Sequence, residues 1–361
     1  MTEALSVRVL PVIQVDGIVK GELARDLLRL EVEETTSGLK TLSARLVGHG
    51  PRQGVEQEVQ LYLDGAILDF GKKLKVAMGP VDNQRTVFEG YISALESRFH
   101  EGEQPEVTVF AEDRLMRLRM TRHMKSFENM SDADIVQAIA TEHGILAETD
   151  ADGPTYDVVQ QWNVSDLAFL RERARLIQAE IWFQDDKIYF MTRTKRTATE
   201  LTLVRGNELI EIEVRADLAH QRTKVKFSGY DAQERDRIEE EAGSNTIDAE
   251  ISGGRTGPSI LEQAFGERVS FRVREIPLVD GEARAWARAE MLRRARSFVT
   301  AVGITRGTPD MIVGSKLTLQ RIGHPFDGGG YYVIRVLHTY DLIYGYRTRF
   351  VAERPTVQGG S

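Results

Sequence analysis

Leu28-Arg29-Leu30-Glu31-Val32, followed across Ser37-Gly38 by Leu42-Ser43-Ala44-Arg45-Leu46, is the stretch that decides the class of this fold. Apolar and polar residues alternate with a period of two on either side of a turn dipeptide, the pattern of paired, half-buried strands. The same period extends in both directions, from Ser6 to about Asp113. Upstream it is carried by Val7, Val9, Ile13 and Val15, with Pro11 marking an edge or a bulge. Downstream it continues through Val59, Leu61 and Leu63, then Leu74, Val76 and Met78, then Ile92 and Ala94, and ends at Val107 and Val109. Asp16-Gly17, Asp64-Gly65 and Gly79-Pro80 punctuate the runs. So many short strands in roughly 110 residues predict a closed or nearly closed antiparallel barrel.

Beyond Asp113 the period changes. Ser131 is a good N-cap, Asp134 stands in the acidic position of a capping box, and Ile135, Val136, Ile139 and Ala140 form one helical face. Gly144 suits the residue after that helix, beside His143. A second helix is predicted from Ser165, with Leu167, Leu170, Ala174 and Ile177 as its stripe. Ile181-Trp182-Phe183 and Ile188-Tyr189-Phe190 then flank Gln184-Asp185-Asp186-Lys187, a hairpin pattern. Strand signals return at 201–204, 210–214 and 225–227. The acidic stretch from Asp231 to Ala242, with Gly253-Gly254 and Gly257-Pro258 after it, reads as a solvated excursion. A third helix spans roughly Gly281 to Val299, its face carrying Ala285, Ala289, Leu292, Ala295 and Val299. Strands at 316–320, 332–337 and 347–351 close the chain.

Composition narrows the function. The 361 residues carry a net charge of −8, and the isoelectric point is near 5.6, which argues against general affinity for nucleic acid or anionic membrane. The absence of cysteine excludes a thiolate nucleophile, a disulfide framework and cysteine-ligated metal sites. No apolar run is long enough for a bilayer-spanning helix, and Met1 to Leu10 has no secretory core. Assembly in a reducing cytoplasm is the expectation.

Little in the sequence looks like chemistry. None of the seven histidines stands at helical metal-pair spacing with another. Gly253-Gly254-Arg255-Thr256-Gly257 lacks a phosphate-binding lysine, and Gly328-Gly329-Gly330 reads as a flexible turn. Glu101 and Glu103 flank a turn glycine, and Asp185 and Asp186 sit at a hairpin tip; neither pair has the buried, fixed geometry that carboxylate catalysis needs. Catalytic residues, cofactor and metal are therefore all expected to be none. Arginines cluster on the third helix at Arg284, Arg288, Arg293, Arg294 and Arg296, where nucleic-acid binding is one reading and contact with acidic neighbours, in this or another subunit, is the one that the overall acidity favours.

Several local motifs together resemble the phage late control protein D family, the baseplate hub of contractile tails, whose module also forms the N-terminal part of type VI secretion valine-glycine-repeat spike proteins. Phe70-Gly71-Lys72-Lys73-Leu74-Lys75-Val76 and Phe88-Glu89-Gly90-Tyr91-Ile92 are similar to its strands, and Ser126 to Ser131 leads into its first helix. Ser165-Asp166-Leu167-Ala168-Phe169-Leu170-Arg171-Glu172-Arg173-Ala174 with the Trp182–Phe190 hairpin is the most specific piece. Val225 to Asp231 and His338-Thr339-Tyr340-Asp341 follow in order, and Phe350-Val351-Ala352-Glu353-Arg354 echoes Val109-Phe110-Ala111-Glu112-Asp113.

The resemblance implies a mainly β chain with an α+β insert: two tail-tube-like β-barrel domains and a small α/β domain, trimerising into a pseudo-sixfold ring. The expected domains are residues 1–115, the insert 116–200, a second barrel from 201–230 and 311–355, a loop-and-helix excursion at 231–310, and a disordered tail at 356–361. Implied partners are two further copies in a homotrimer, a trimeric spike protein, a hexameric tail tube or its initiator, and other baseplate components, with no membrane and no specific nucleic acid. After Glu353 nothing resembles a spike's oligonucleotide-binding-fold barrel, so the spike is expected on another polypeptide. The rival reading is a tail-associated enzyme that degrades carbohydrate or peptidoglycan; a third is a spike protein truncated before its tip. Arg288, Arg293 and Arg294 are the candidate subunit-interface residues.

Overall fold

The computed structural model describes residues 10–51, 58–80, 84–231, 234–272 and 276–358. Val7 and Val9 of the expected first strand, and Gly359 to Ser361 of the expected tail, lie outside the described residues.

The first lobe is built from β1 (Val12–Val15), β2 (Ile18–Val19), α1 (Gly21–Arg25), β3 (Leu27–Thr35), β4 (Thr41–Val47), β5 (His49–Gly50), β6 (Val59–Gln60), β7 (Lys73–Met78), β8 (Arg85–Arg98) and β9 (Glu106–Glu112). The period-two residues Leu30, Val32, Leu42, Ala44, Leu46, Leu74, Val76, Val107 and Val109 all point into one core. Leu28 does not. A register shift between Leu27 and Arg29 turns Leu27 inward instead, since one extra residue reverses the faces of a strand. The expected strand through Leu63 shrinks to Val59–Gln60; Tyr62 sits at positive φ and its hydroxyl donates to Asp26. Gly90, in the Phe88–Ile92 motif, lies where β8 crosses β9, and a Cβ there would collide with the Glu112 carbonyl.

Asp113 caps the 3-10 turn Arg114–Arg119 by accepting from the Leu115 amide at 2.9 Å, and the chain enters the α/β part. This comprises β10 (Arg122–Ser131), α2 (Asp132–Glu142), β11 (Leu146–Asp150), β12 (Thr155–Ser165), α3 (Asp166–Ile177), β13 (Ala179–Gln184) and β14 (Lys187–Thr192). The Ser131–Asp134 capping box forms in both directions, and the Ser165 hydroxyl accepts from the Ala168 amide. The β13–β14 hairpin turns on Asp185 and Asp186, both at positive φ, as its tight turn requires.

The remainder contains β15 (Glu200–Val204), β16 (Leu209–Ala216), β17 (Lys224–Asp231), β18 (Asp236–Gly243), β19 (Arg255–Thr256), α4 (Gly257–Phe265), β20 (Val269–Arg272), α5 (Asp280–Arg296), β21 (Val299–Thr305), β22 (Lys316–Gln320), β23 (Gly328–Asp341), β24 (Gly345–Arg354) and β25 (Thr356–Val357). Here the sequence reading needs correction. The stretch after Asp231 is no solvated excursion: β18 pairs with β17 along its length, and Ile238 is fully buried. Strand β17 leaves the lobe assigned to it and joins β18 and β20 in a separate three-stranded sheet under α5. Gly257-Pro258 opens α4, with Thr256 as N-cap and the proline in the first turn, where its missing amide costs nothing. Helix α5 stops at Arg296, and Val299 begins β21, a member of the large sheet between β16 and β24. Gly328 to Gly330 open β23 instead of forming a loose turn. Thr356–Val357 pair with Arg255–Thr256, so the expected disordered tail begins with a strand.

One 13-stranded sheet unites the β parts in the order β16-β21-β24-β23-β3-β4-β9-β8-β7-β1-β2, with β22 and β15 branching from β23. Among the described residues this path stays open; its hinge is the pairing of β23 with β3, Arg335 to Asp341 against Arg29 to Thr35. Two cores lie along it. The first includes Tyr340, delivered from β23; the second gathers Leu203, Val299, Leu317, Tyr331, Val333 and Phe350. The third core is the α/β part, and it takes in Val225, Phe227, Ile238, Trp286 and Met291 from the later segment.

Candidate assembly surface

Where the three cores meet, charged residues are buried. Arg196, whose side chain is 2% exposed, reaches Glu34 of β3 at 2.9 Å and Glu180 of β13 at 3.0 Å, and its guanidinium lies 4.1 Å over the Trp182 ring. Lys40 adds a second contact to Glu34 at 3.0 Å. Tyr332 of β23 donates to Glu180 at 2.8 Å, and Arg193 bridges Glu180 and Glu353 of β24 while stacking 4.3 Å over Tyr332. Burial alone would push the Glu34 carboxyl up, but Lys40 and Arg196 outweigh it and hold the carboxyl below its ordinary value. Every acid here is spoken for by a cation, so the cluster is a tie between units and has no spare base to offer. Sequence reading missed it because Glu34 and Glu180 look like solvated polar positions of strands, and Arg196 stands in the wholly polar run 192–197.

His338 lies beside this cluster, its Nδ1 3.1 Å from the Thr348 hydroxyl and 2.8 Å from that of Tyr346. Burial, with Lys40 nearby, pushes its pKa down to about 4, against a partial pull upward from Glu34. The neutral ring is therefore the folded form. Its share of stability is complete above the unfolded value of 6.5 and is lost as pH falls toward 4, by about 3 kcal/mol at most. Burial pushes Asp113 the other way, up to about 6, so its share is lost as pH rises from 3.8 toward 6. The two oppose each other in the native chain. Urea unfolding of the native protein and of His338→Gln, at pH 7 and pH 4.5, separates them, since Asp113 is common to both. The native protein should lose stability relative to the variant on acidification; parallel pH dependences would show that His338 does not titrate there.

The arginines of α5 divide into held and free. Arg296 is clamped by Glu250 at 2.8 and 2.6 Å, Arg294 bonds Glu290 and the His220 carbonyl, and Arg293 forms a fork with Glu290 at 2.8 Å. Arg284 reaches Glu240 at 2.6 Å. Arg288 is exposed and makes no ion pair among the described residues. Of the three interface candidates, Arg288 and Arg293 thus face outward, and Arg294 turns toward its own chain. The stripe predicted for α5 is displaced: Ala283, Trp286, Ala287 and Met291 enter the α/β core, and Ala285 and Leu292 flank an outer groove. Elsewhere, Leu342, Ile343 and Tyr344 form an apolar tip on the β23–β24 hairpin, Ile343 being 74% exposed. Among the described residues, no group of His, Asp or Glu is arranged to hold a metal ion, and no helix is long and apolar enough to cross a membrane.

Two β lobes sharing one sheet, with an α/β part between them, define a tail-protein fold. Over 96% of this chain and 98% of the other, the structure superposes on the 43-kDa tail protein of prophage MuSo2 from Shewanella oneidensis, with a TM-score of 0.69 at 12% identity. A tail protein from Neisseria meningitidis MC58 matches with a TM-score of 0.63 at 12% identity, over 96% of each chain. The E. coli c3393 protein, a component of the type VI secretion system similar in structure to T4 tail proteins gp27 and gp5, matches at 0.60 and 13% identity, over 97% of this chain and 79% of that one. These likenesses bear out the tail-protein fold that the resemblance implied. Residues 56–341 match the family described as the Alg8 N-terminal domain, and the chain belongs to that family. The curated proteins include no match.

Proposed function

We propose that this chain is the structural baseplate hub of a contractile phage tail or phage-tail-like injection system, adapting a hexameric tube to a trimeric spike. The observation that carries this reading is the superposition on a tail protein over 96% of this chain and 98% of that one. Two β lobes per chain give a homotrimer six lobes, on which a sixfold tube can stack, and leave a threefold face for the spike. In this reading the first lobe spans residues 10–113, and the second draws on β15, β16 and β21–β24. The α/β part of residues 116–200 takes α5 and its sheet as its outer layer. Arg288, Arg293 and Arg294 serve the subunit interface, and the apolar tip at Leu342–Tyr344 serves a contact with a neighbouring component. The chain has no catalytic role of its own, assembles in the bacterial cytoplasm and ends in the particle's baseplate.

Light scattering and negative-stain imaging test this directly. Three copies of the 40.6-kDa chain, forming rings with a central hole, are expected for the isolated protein or on addition of its spike. A monomer under both conditions would overturn the hub reading. Turnover of peptidoglycan, abolished by substituting one carboxylate, would overturn the non-enzymatic part of it.

A further inference from the structure

Helix α5 is apolar on two sides, which a helix at the surface of a finished assembly rarely is. One side is used, by Trp286, Ala287 and Met291 in the α/β core. The other, Ala285, Ala289 and Leu292, floors a groove of about 510 Å³ whose far wall includes Ile177 and Pro154. Arg284 and Arg288 stand along its rim. Past Arg296 and Gln178 it adjoins a second cleft of about 260 Å³, lined by Arg171, Arg175, Arg193 and Arg293. Seven arginines against four carboxylates line the two together, in a chain whose net charge is −8. The trough is a basic exception on an acidic molecule.

The complementary surface lies on the same chain. Strand β16 ends the 13-stranded sheet; among the described residues it pairs with β21, and its other side is bridged only at Leu209, by Arg205. Its outward positions Glu211 and Glu213 are exposed and make no ion pair among the described residues, and Ile210 is exposed at the bulge beside them. An edge left bare beyond Leu209 invites uncontrolled strand addition unless something covers it. Alternate residues on a strand are about 7 Å apart. Residues four apart on a helix are about 6 Å apart. Glu211 and Glu213 are therefore spaced to meet Arg284 and Arg288 in that order, and the exposed pair of Arg284 with Glu240 is a weak one that a better partner displaces.

We propose that the α5 trough of one copy receives the acidic edge strand β16 of the next copy, Glu211 and Glu213 pairing with Arg284 and Arg288. The contact joins two different patches, so it propagates head to tail and closes into a ring when the rotation permits. This rests on the homotrimer in the proposed function and names which surfaces meet.

Charge swapping tests it by light scattering on the full chain. Arg284→Glu with Arg288→Glu should weaken self-association about tenfold or more, Glu211→Arg with Glu213→Arg should do the same, and the four changes together should restore it. Melting temperatures near the native value confirm that each variant is folded. Because the chain has no cysteine, Arg288→Cys mixed with Glu213→Cys offers a second readout: oxidation should give the mixed disulfide dimer in excess of either self-linked one. Self-association unchanged in both charge-reversed variants, or not restored in the combined one, overturns this contact and leaves the trimer standing. A native chain that never self-associates overturns both.

Discussion

Replacing Arg196 with methionine is expected to destabilise the protein by about 3–5 kcal/mol, the cost of breaking a buried ion pair from one side. Arg196 is the cation shared by Glu34 and Glu180, which belong to the first lobe and the α/β part respectively. Its removal leaves Glu34 to Lys40 alone, and Glu180 to Arg193 and the Tyr332 hydroxyl. Two carboxylates then sit desolvated with half their compensation, and the 4.1 Å stack on Trp182 goes as well. Acid should relieve the variant. The native protein holds Glu34 below the usual 4.5, so the stability this acid contributes is present above that value and is lost as pH falls through its folded pKa. In Arg196→Met that contribution shrinks or reverses, so the gap between the two proteins narrows toward pH 4. Adding Glu34→Gln and Glu180→Gln to the variant should recover most of the loss, because the penalty lies in unpaired charge. Urea unfolding at pH 7 and pH 4.5 measures all of this. A single variant within 1 kcal/mol of the native protein would show that Lys40 and Arg193 suffice.

Truncating Tyr340 to alanine is expected to cost about 3–5 kcal/mol, and to do so far from its own end of the sequence. Tyr340 is 1% exposed, and although it belongs to β23 its ring fills the core of the first lobe among residues that precede Asp113. Strand β23 also pairs with β3 from Arg335 to Asp341, so the first lobe depends on residues beyond 330 for both backbone partners and core volume. Amide exchange should therefore rise in β3 and β4 of Tyr340→Ala. For the same reason residues 1–115 expressed alone should not fold cooperatively, and adding the rest of the chain should restore them. Exchange confined to the β23–β24 hairpin, or a cooperative transition of the isolated segment, would show that the first lobe is autonomous.

The local elements were legible wherever short-range physics selects them. Period two marked Leu30–Val32 and Leu42–Leu46 as strands with one buried face, Ser131 with Asp134 and Ser165 announced two helix starts, and Asp185-Asp186 announced a tight hairpin. Each is settled by contacts within a few residues, which a single stretch of sequence contains. The resemblance carried by residues 165–190 also placed the fold correctly as a tail-protein fold. What the tertiary structure decided was which elements share a core. The stretch 236–243 looked solvated because Glu239, Glu240 and Glu241 dominate it, yet pairing with β17 turns Ile238 and Ala242 inward beneath α5. Helix α5 gave a misleading stripe because both its sides are apolar, and period alone cannot say which side meets the core. The junction of Glu34, Glu180, Arg193, Arg196 and Glu353 joins residues up to 319 positions apart in the chain. Charges in alternating strands default to solvent, and only a fold that brings three cores together can bury them, because only there does each acid find its cation.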